Sequence, residues 1–258
     1  MAGRLVTAFV PPVRRKKTGR GHSYVDGTGR RIPGVTTLIG DGVPKPALVK
    51  WAARTVAEAA VNRWDELAGL PVAARLKQLQ DSPWSDRDSA AHRGTEVHGL
   101  AEKLVRGEQV SVPDELAGHV ESYVRFLDDW QPDPVLVEAV VVNYTHGYAG
   151  TTDGIFDIPN VGRVLIDVKT GRSGVFGDVA LQLAAYRYAE CYLADDGSEQ
   201  PMPAVNVCAV IHVRADGYSL VPVEAGPGQF RTFLYGAQIA AFLDTARDLI
   251  GDELVVPA

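Results

Sequence analysis

Residues 147–169, GYAGTTDGIFDIPNVGRVLIDVK, decide the fold. They read as two apolar strands joined by the turn Pro159-Asn160-Val161-Gly162. Side chains on a strand alternate faces with a period of two. Arg163, Leu165, Asp167 and Lys169 therefore point one way, and Val164, Ile166 and Val168 the other. The second set is purely apolar and is expected to be buried. Asp167 and Lys169 are then held two residues apart on a strand anchored from behind, beside a strand that carries Asp153.

That geometry suits phosphodiester hydrolysis. Two carboxylates from neighbouring strands can hold a hard divalent cation through oxygen. Such an ion polarises a phosphoryl oxygen and acidifies a bound water. A lysine beside it orients or deprotonates that water and offsets developing negative charge. An acid-x-Lys triplet arises by chance about once in a chain of this size, so in isolation an exposed ion pair at a strand end is the better reading. Its neighbours in the chain decide.

Just upstream, residues 135–143, VLVEAVVVN, read as a strand in which Glu138 is the only charge. A carboxylate in an apolar strand is costly unless paired or bound to a metal. Glu138 is thus a candidate ligand, or a group just behind the ligands; a sheet-end position facing water is the alternative. Downstream, a turn at 171–177 containing Arg172 leads into residues 178–194, DVALQLAAYRYAECYLA, which read as a helix. Gln182 and Tyr186 stand four apart on one face of it. A loop at 195–203 precedes two strands, 204–213 and 218–224, joined through Ala215-Asp216-Gly217, and a last helix covers about 228–250.

Further upstream, AHRGTEVHGLAEKLVRGE reads as a helix from about 91 to Gly107, with His98 early and Leu100 and Leu104 on an apolar stripe. A second helix, about 113–130, opens on Pro113-Asp114-Glu115, where proline and acids favour a helix N-terminus. The polar run 81–90 separates these from two or three helices within 47–79, in which Trp51 and Trp64 read as packing residues. The glycines and prolines of 40–46 mark a loop, and residues 22–33 a short hairpin turning at Asp26-Gly27-Thr28-Gly29. Helices, three strands, a helix, two strands and a helix make an α/β layer design around a mixed sheet.

The chain carries a net charge of −6, yet residues 1–31 hold eight Lys and Arg against Asp26 alone, leaving −13 for the rest. A basic arm on an acidic body is either a phosphate-contacting patch or a solvated tail. Its candidates for phosphate are Arg14, Arg15, Lys16, Lys17 and Arg20. A chain of 258 residues is long enough for a full core. No run of about 18 apolar residues predicts a membrane span, and the N-terminus lacks the order of a signal peptide. Cys191 and Cys208 are too few for a cluster or a zinc site and are expected to be buried free thiols in a reducing cytoplasm.

Taken together, the motifs resemble those of the PD-(D/E)XK nuclease superfamily, in its RecB-like and phage exonuclease branch. Gly94-Thr95-Glu96-Val97-His98 is similar to the helical motif that gives a metal-binding histidine. Gly150-Thr151-Thr152-Asp153 is similar to the first acid motif, and Ile166-Asp167-Val168-Lys169-Thr170-Gly171 to the acid-x-lysine motif. Gln182-Leu183-Ala184-Ala185-Tyr186 is similar to the Gln-x-x-x-Tyr motif of that branch. The resemblance covers residues 91–190, and GVTTLIGDGVPKPALVKWAA also looks like the N-terminal part of phage-encoded members.

The resemblance implies a restriction-endonuclease-like core over 91–258, with a basic arm and hairpin at 1–33 and a helical elaboration at 34–90. Asp153, Asp167, the Val168 carbonyl and His98 would bind Mg²⁺ or Mn²⁺, with Glu138 available to a second ion. Lys169 would position the attacking water, and Gln182 and Tyr186 would hold the DNA strand or brace the catalytic strand. It further implies DNA as the partner, alongside a single-strand-annealing or recombination protein. The location would be the cytoplasm, the host's if the chain is phage-encoded. Relatives with an iron–sulfur cluster need four cysteines, so none is expected here. His92, His119, His146, His212 and Asp157 read as structural. The function expected is a metal-dependent exonuclease. Its rivals are an endonuclease of the same superfamily, a non-catalytic DNA-binding protein, and a sugar- or nucleotide-binding metalloprotein.

Overall fold

The strand that ends at Lys169 is buried over residues 164–168, because it lies inside a seven-stranded sheet covered by helices on both faces. In this computed structural model the described residues are 9–18, 21–171 and 174–254; Arg20 and Arg172 lie outside them, as does the side chain of Lys17. The elements run β1 (Arg14–Thr18), β2 (Gly21–Val25), β3 (Arg31–Ile32), α1 (Val35–Gly42), α2 (Pro46–Asn62), α3 (Trp64–Ala68), α4 (Val72–Val105), α5 (Ala117–Trp130), β4 (Asp133–Asn143), β5 (Tyr148–Ile158), β6 (Gly162–Lys169), α6 (Val179–Arg187), β7 (Cys191–Leu193), β8 (Glu199–Pro201), β9 (Val207–Arg214), β10 (Gly217–Val223) and α7 (Pro227–Thr245). The large sheet has the order β10-β9-β6-β5-β4-β7-β8. Strands β6 and β9 are parallel and the other pairs antiparallel, so the sheet is mixed.

Alternation along β6 builds the two layers on this sheet. Leu165 faces a cluster made with Ile155, Val210, α1 (Leu38, Ile39), α6 (Leu183, Ala184) and α7 (Phe233, Ala237). Val164, Ile166 and Val168 face the opposite cluster, with Ala101 of α4 and Tyr123 and Phe126 of α5. The apolar face read from the sequence is therefore buried. The opposite face is buried too, and Asp167 is 2% exposed on it. A smaller sheet, β1-β2-β3, packs at the start of β5, where Pro33 O accepts the Ala149 N–H at 3.1 Å. Both cysteines are buried and free. No helix among the described residues is long and apolar enough to cross a membrane.

Several expected boundaries move. Residues 40–46 are not all loop: α1 continues to Gly42. The break at 81–90 is absent, and α4 runs unbroken from Val72 to Val105 through Pro83. Proline and polar residues are turn signals, but here the helix continues through them and packs against α2, α5 and β4. The helix predicted for 178–194 stops at Arg187, and Cys191–Leu193 joins the sheet as β7 beside β4. The cause is the free edge of β4: Glu190 donates its N–H to Val142 O at 2.9 Å, and unpaired strand groups outweigh helix propensity. Glu199–Pro201, read as loop, extends that edge as β8. Trp64 does not pack; it is 64% exposed.

Candidate metal centre

Strand register sets three acids in a row. Val137 pairs with Gly154 and Ala139 with Thr152, so Glu138 falls opposite Asp153. Gly154 pairs with Ile166, so Asp153 in turn falls opposite Asp167. The main-chain ladder between β5 and β6 stops there, and the Asp153 side chain replaces it: Oδ2 accepts the Val168 N–H at 2.6 Å. Glu138 has φ of 52°, a left-handed conformation in mid-strand. For a non-glycine residue this costs about 1–2 kcal/mol and marks positions that the surroundings hold in place.

The groups that face these acids come from α4, from β6 itself, from α6 and from β1. Helix α4 crosses the end of β6 and sets His98 Nε2 2.9 Å from Val168 O and Nδ1 3.3 Å from Asp153 Oδ1. Lys169 Nζ lies 3.0 Å from Asp167 Oδ1 and 2.8 Å from Oδ2. Gln182 Nε2 donates to Asp167 Oδ1 at 2.6 Å and to the Tyr186 hydroxyl at 3.3 Å. Arg15 of β1 reaches Glu138 Oε2 at 3.5 Å.

Electrostatics follow from like charges side by side out of water. Burial and then Asp153 push Glu138 up to about 7. Burial and Asp153 likewise raise Asp167. Burial also works against Asp153, but His98, the Val168 N–H and Lys169 outweigh it and hold that carboxyl below its usual range. His98 is disfavoured as a cation by burial, yet Asp153, Asp167 and Glu138 lift it to about 9. Burial opposes charge on Lys169 too, and Asp167 overcomes it, so the ammonium stays protonated. Lys169 is therefore a donor and counter-charge in this arrangement.

The atoms fit a cation. One ligand atom each from His98, Glu138 and Asp153 lies within 4.8 Å of the others. Asp167 is outside that set, and its buried Oδ2 meets the Lys169 ammonium at 2.8 Å. The Val168 carbonyl, expected as a ligand, is taken by His98. Two carboxylates and one imidazole could hold a divalent ion, and the donor set does not single out which. No protein-family model and no curated protein matches the chain.

The remaining expected site residues separate. Tyr186 is 3% exposed and packs over Gly150, where a Cβ would strike its ring; it supports Gln182 and meets no solvent. Arg14 and Lys16 are exposed on β1. Asp157 is held by Arg163 through two hydrogen bonds of 2.9 and 2.8 Å, a structural pair at the far end of β5. Buried His212 contacts Gly171 O at 2.8 Å. The sequence reading missed Tyr24, whose hydroxyl lies 2.8 Å from Thr151 Oγ1 and ties β2 to the acid strand. No motif marks it, since the contact spans 127 residues.

Proposed function

We propose that this chain is a divalent-metal-dependent deoxyribonuclease of the PD-(D/E)XK kind, with a restriction-endonuclease-like core, acting as an exonuclease. The observation that carries the reading is the row Glu138–Asp153–Asp167 across three adjacent strands, with Lys169 and Gln182 fixed on the last acid. Three carboxylates side by side destabilise a sheet unless a cation is meant to join them. His98, Glu138 and Asp153 would hold the ion, with Asp167 at its edge. A bound Mg²⁺ or Mn²⁺ supplies an acidified water and a polarised phosphoryl oxygen.

The protein's own groups do the rest. Protonated Lys169 holds the attacking water against Asp167 and faces the developing phosphorane charge. Gln182, braced by Tyr186, fixes Asp167 so that Lys169 keeps its direction. Arg14 and Lys16 are exposed on β1 and would attract the phosphodiester backbone.

The test is incubation with 5′-labelled linear duplex and with closed circular DNA, in Mg²⁺, Mn²⁺ or EDTA, beside Lys169→Ala. Metal-dependent loss of the linear DNA alone is expected, slowed about 10²–10³-fold in the variant. Nicking of the circle would replace the exonuclease with an endonuclease. Cleavage that survives EDTA would sink the reading altogether.

Ion binding should also release protons. Glu138 near 7 and His98 near 9 are both raised, so both hold protons that an ion must displace at neutral pH. Affinity for Mn²⁺, measured by calorimetry, is expected to rise about a thousandfold or more from pH 6 to pH 9. A flat profile would remove both residues from the ligand set.

A further inference from the structure

One cation of the site comes from outside the sheet that builds it. Along β1, Arg14 and Lys16 share one face and Arg15 takes the other. Arg15 lies directly across from Tyr24 in the β1–β2 register, so the two share a side of the small sheet. That side is the docked one: the Tyr24 hydroxyl is hydrogen-bonded to Thr151 Oγ1 at 2.8 Å and to His22 Nε2 at 2.7 Å, and Tyr24 is 4% exposed. A bridge between Gly34 and Ala149 pins the same sheet to the start of β5. Arg15 is thereby aimed at the β4–β5 pair, and its Nη1 lies 3.5 Å from Glu138 Oε2.

This contact leaves the guanidinium mostly unspent. It is a single approach of one nitrogen to one oxygen, and the Arg15 side chain is still 40% exposed. A guanidinium has five donors in a planar fork that matches phosphate. Glu138 meanwhile belongs to the set that could hold an ion. The cation and the ion thus need the same carboxylate.

We propose that Arg15 is the stand-in counter-charge of Glu138, which yields that carboxylate to the divalent ion and turns to the substrate's phosphodiester. The inference rests on the nuclease reading above and deepens it. Arg15 becomes a positioning residue for the phosphate at the centre, whereas Arg14 and Lys16 contact the backbone outside. It also makes ion and DNA cooperative, since each removes an obstacle to the other.

Two affinities test it, and they move in opposite directions. Mn²⁺ binding is measured by calorimetry without DNA, and duplex DNA binding in Ca²⁺, which holds cleavage off. For Arg15→Ala, Mn²⁺ should bind about three- to tenfold tighter, because a nearby positive charge is gone and Glu138 is free. DNA should bind about five- to tenfold more weakly, with its log-salt slope reduced by about 1. Arg14→Ala should weaken DNA alone. Arg15→Lys should restore part of both effects and guards against misfolding of the small sheet. An Arg15→Ala protein that loses affinity for both ligands, or keeps the wild-type Mn²⁺ affinity, overturns the proposal. A wild-type protein that binds neither Mn²⁺ nor DNA fails earlier and sinks the nuclease reading itself.

Discussion

Asp153→Asn is expected to cut cleavage by at least about 10³-fold, a loss of roughly 4 kcal/mol of transition-state stabilisation, and to lower the melting temperature of the metal-free protein. The two outcomes have one cause. Asp153 is the middle acid of the row, between Glu138 and Asp167. Its Oδ2 accepts the Val168 N–H, its Oδ1 faces His98, and its charge raises both Glu138 and Asp167. An amide keeps the oxygen for Val168 and loses the charge. The ion then loses its central ligand, and His98 loses the neighbour that holds its proton.

Stability falls as well. His98, the Val168 N–H and Lys169 hold Asp153 below its usual range, so its charge stabilises the fold at neutral pH even without an ion. A neutral isostere relieves Glu138 and Asp167 but leaves His98 and Lys169 short of counter-charge. Melting without metal should therefore drop, and the upward shift expected of Mn²⁺ on the wild type should vanish. Glu138 should also titrate closer to an ordinary carboxyl, which carbon-detected NMR reads directly. Cleavage within tenfold of wild type, or a metal shift that persists, would remove Asp153 from the centre.

Much of this centre was legible in the chain because strand periodicity is a short-range rule. Asp167 and Lys169 lie on one side of β6 by parity alone, and Glu138 was conspicuous as the single charge of an apolar strand. Gln182 and Tyr186 shared a helix face, but only the packed structure shows that they turn inward onto Asp167. What stayed hidden depends on contacts across the chain. Nothing in RRKKT distinguishes Arg15 from its neighbours until β1 pairs with β2 and one face of the pair docks on β5. The missed strand β7 has the same origin. Residues 188–194 suit a helix locally and were claimed by an edge 50 residues upstream. The unbroken α4 was hidden as well, because Pro83 within polar residues is locally a stop.

The glycines of 40–46 make the sharpest case, and they set the other large effect. Gly42→Ala is expected to destabilise the fold by about 3 kcal/mol, lowering the melting temperature by roughly 6–12 °C in a chain of this size. Gly40→Ala, two residues away in the same helix, should hold or raise it. Read as sequence, both are loop signals. In the structure both lie in α1, and neither has a positive φ, so backbone conformation does not explain either. Gly42 is buried where α1 crosses α7, and a Cβ there would run into the carbonyl of Gly236. That is main chain, which no side-chain rotation relieves, so one helix must move away from the other. Gly236 is in the same position, with a Cβ built on it 3.0 Å from the Val43 side chain.

Gly40 is exposed and has nothing within 4 Å of the place its Cβ would take. There alanine only restores the helix propensity that glycine forgoes, about 0.8–1 kcal/mol. Thermal melts of the two variants thus carry opposite signs for the same chemical change. The stake extends to the site, since Leu38 and Ile39 of α1 pack in the same cluster as Leu183 and Tyr186 of α6, the helix that carries Gln182. Prising α1 from α7 should loosen α6, and with it the hold on Asp167. Equal melts for Gly40→Ala and Gly42→Ala would mean that the helices do not approach at that point.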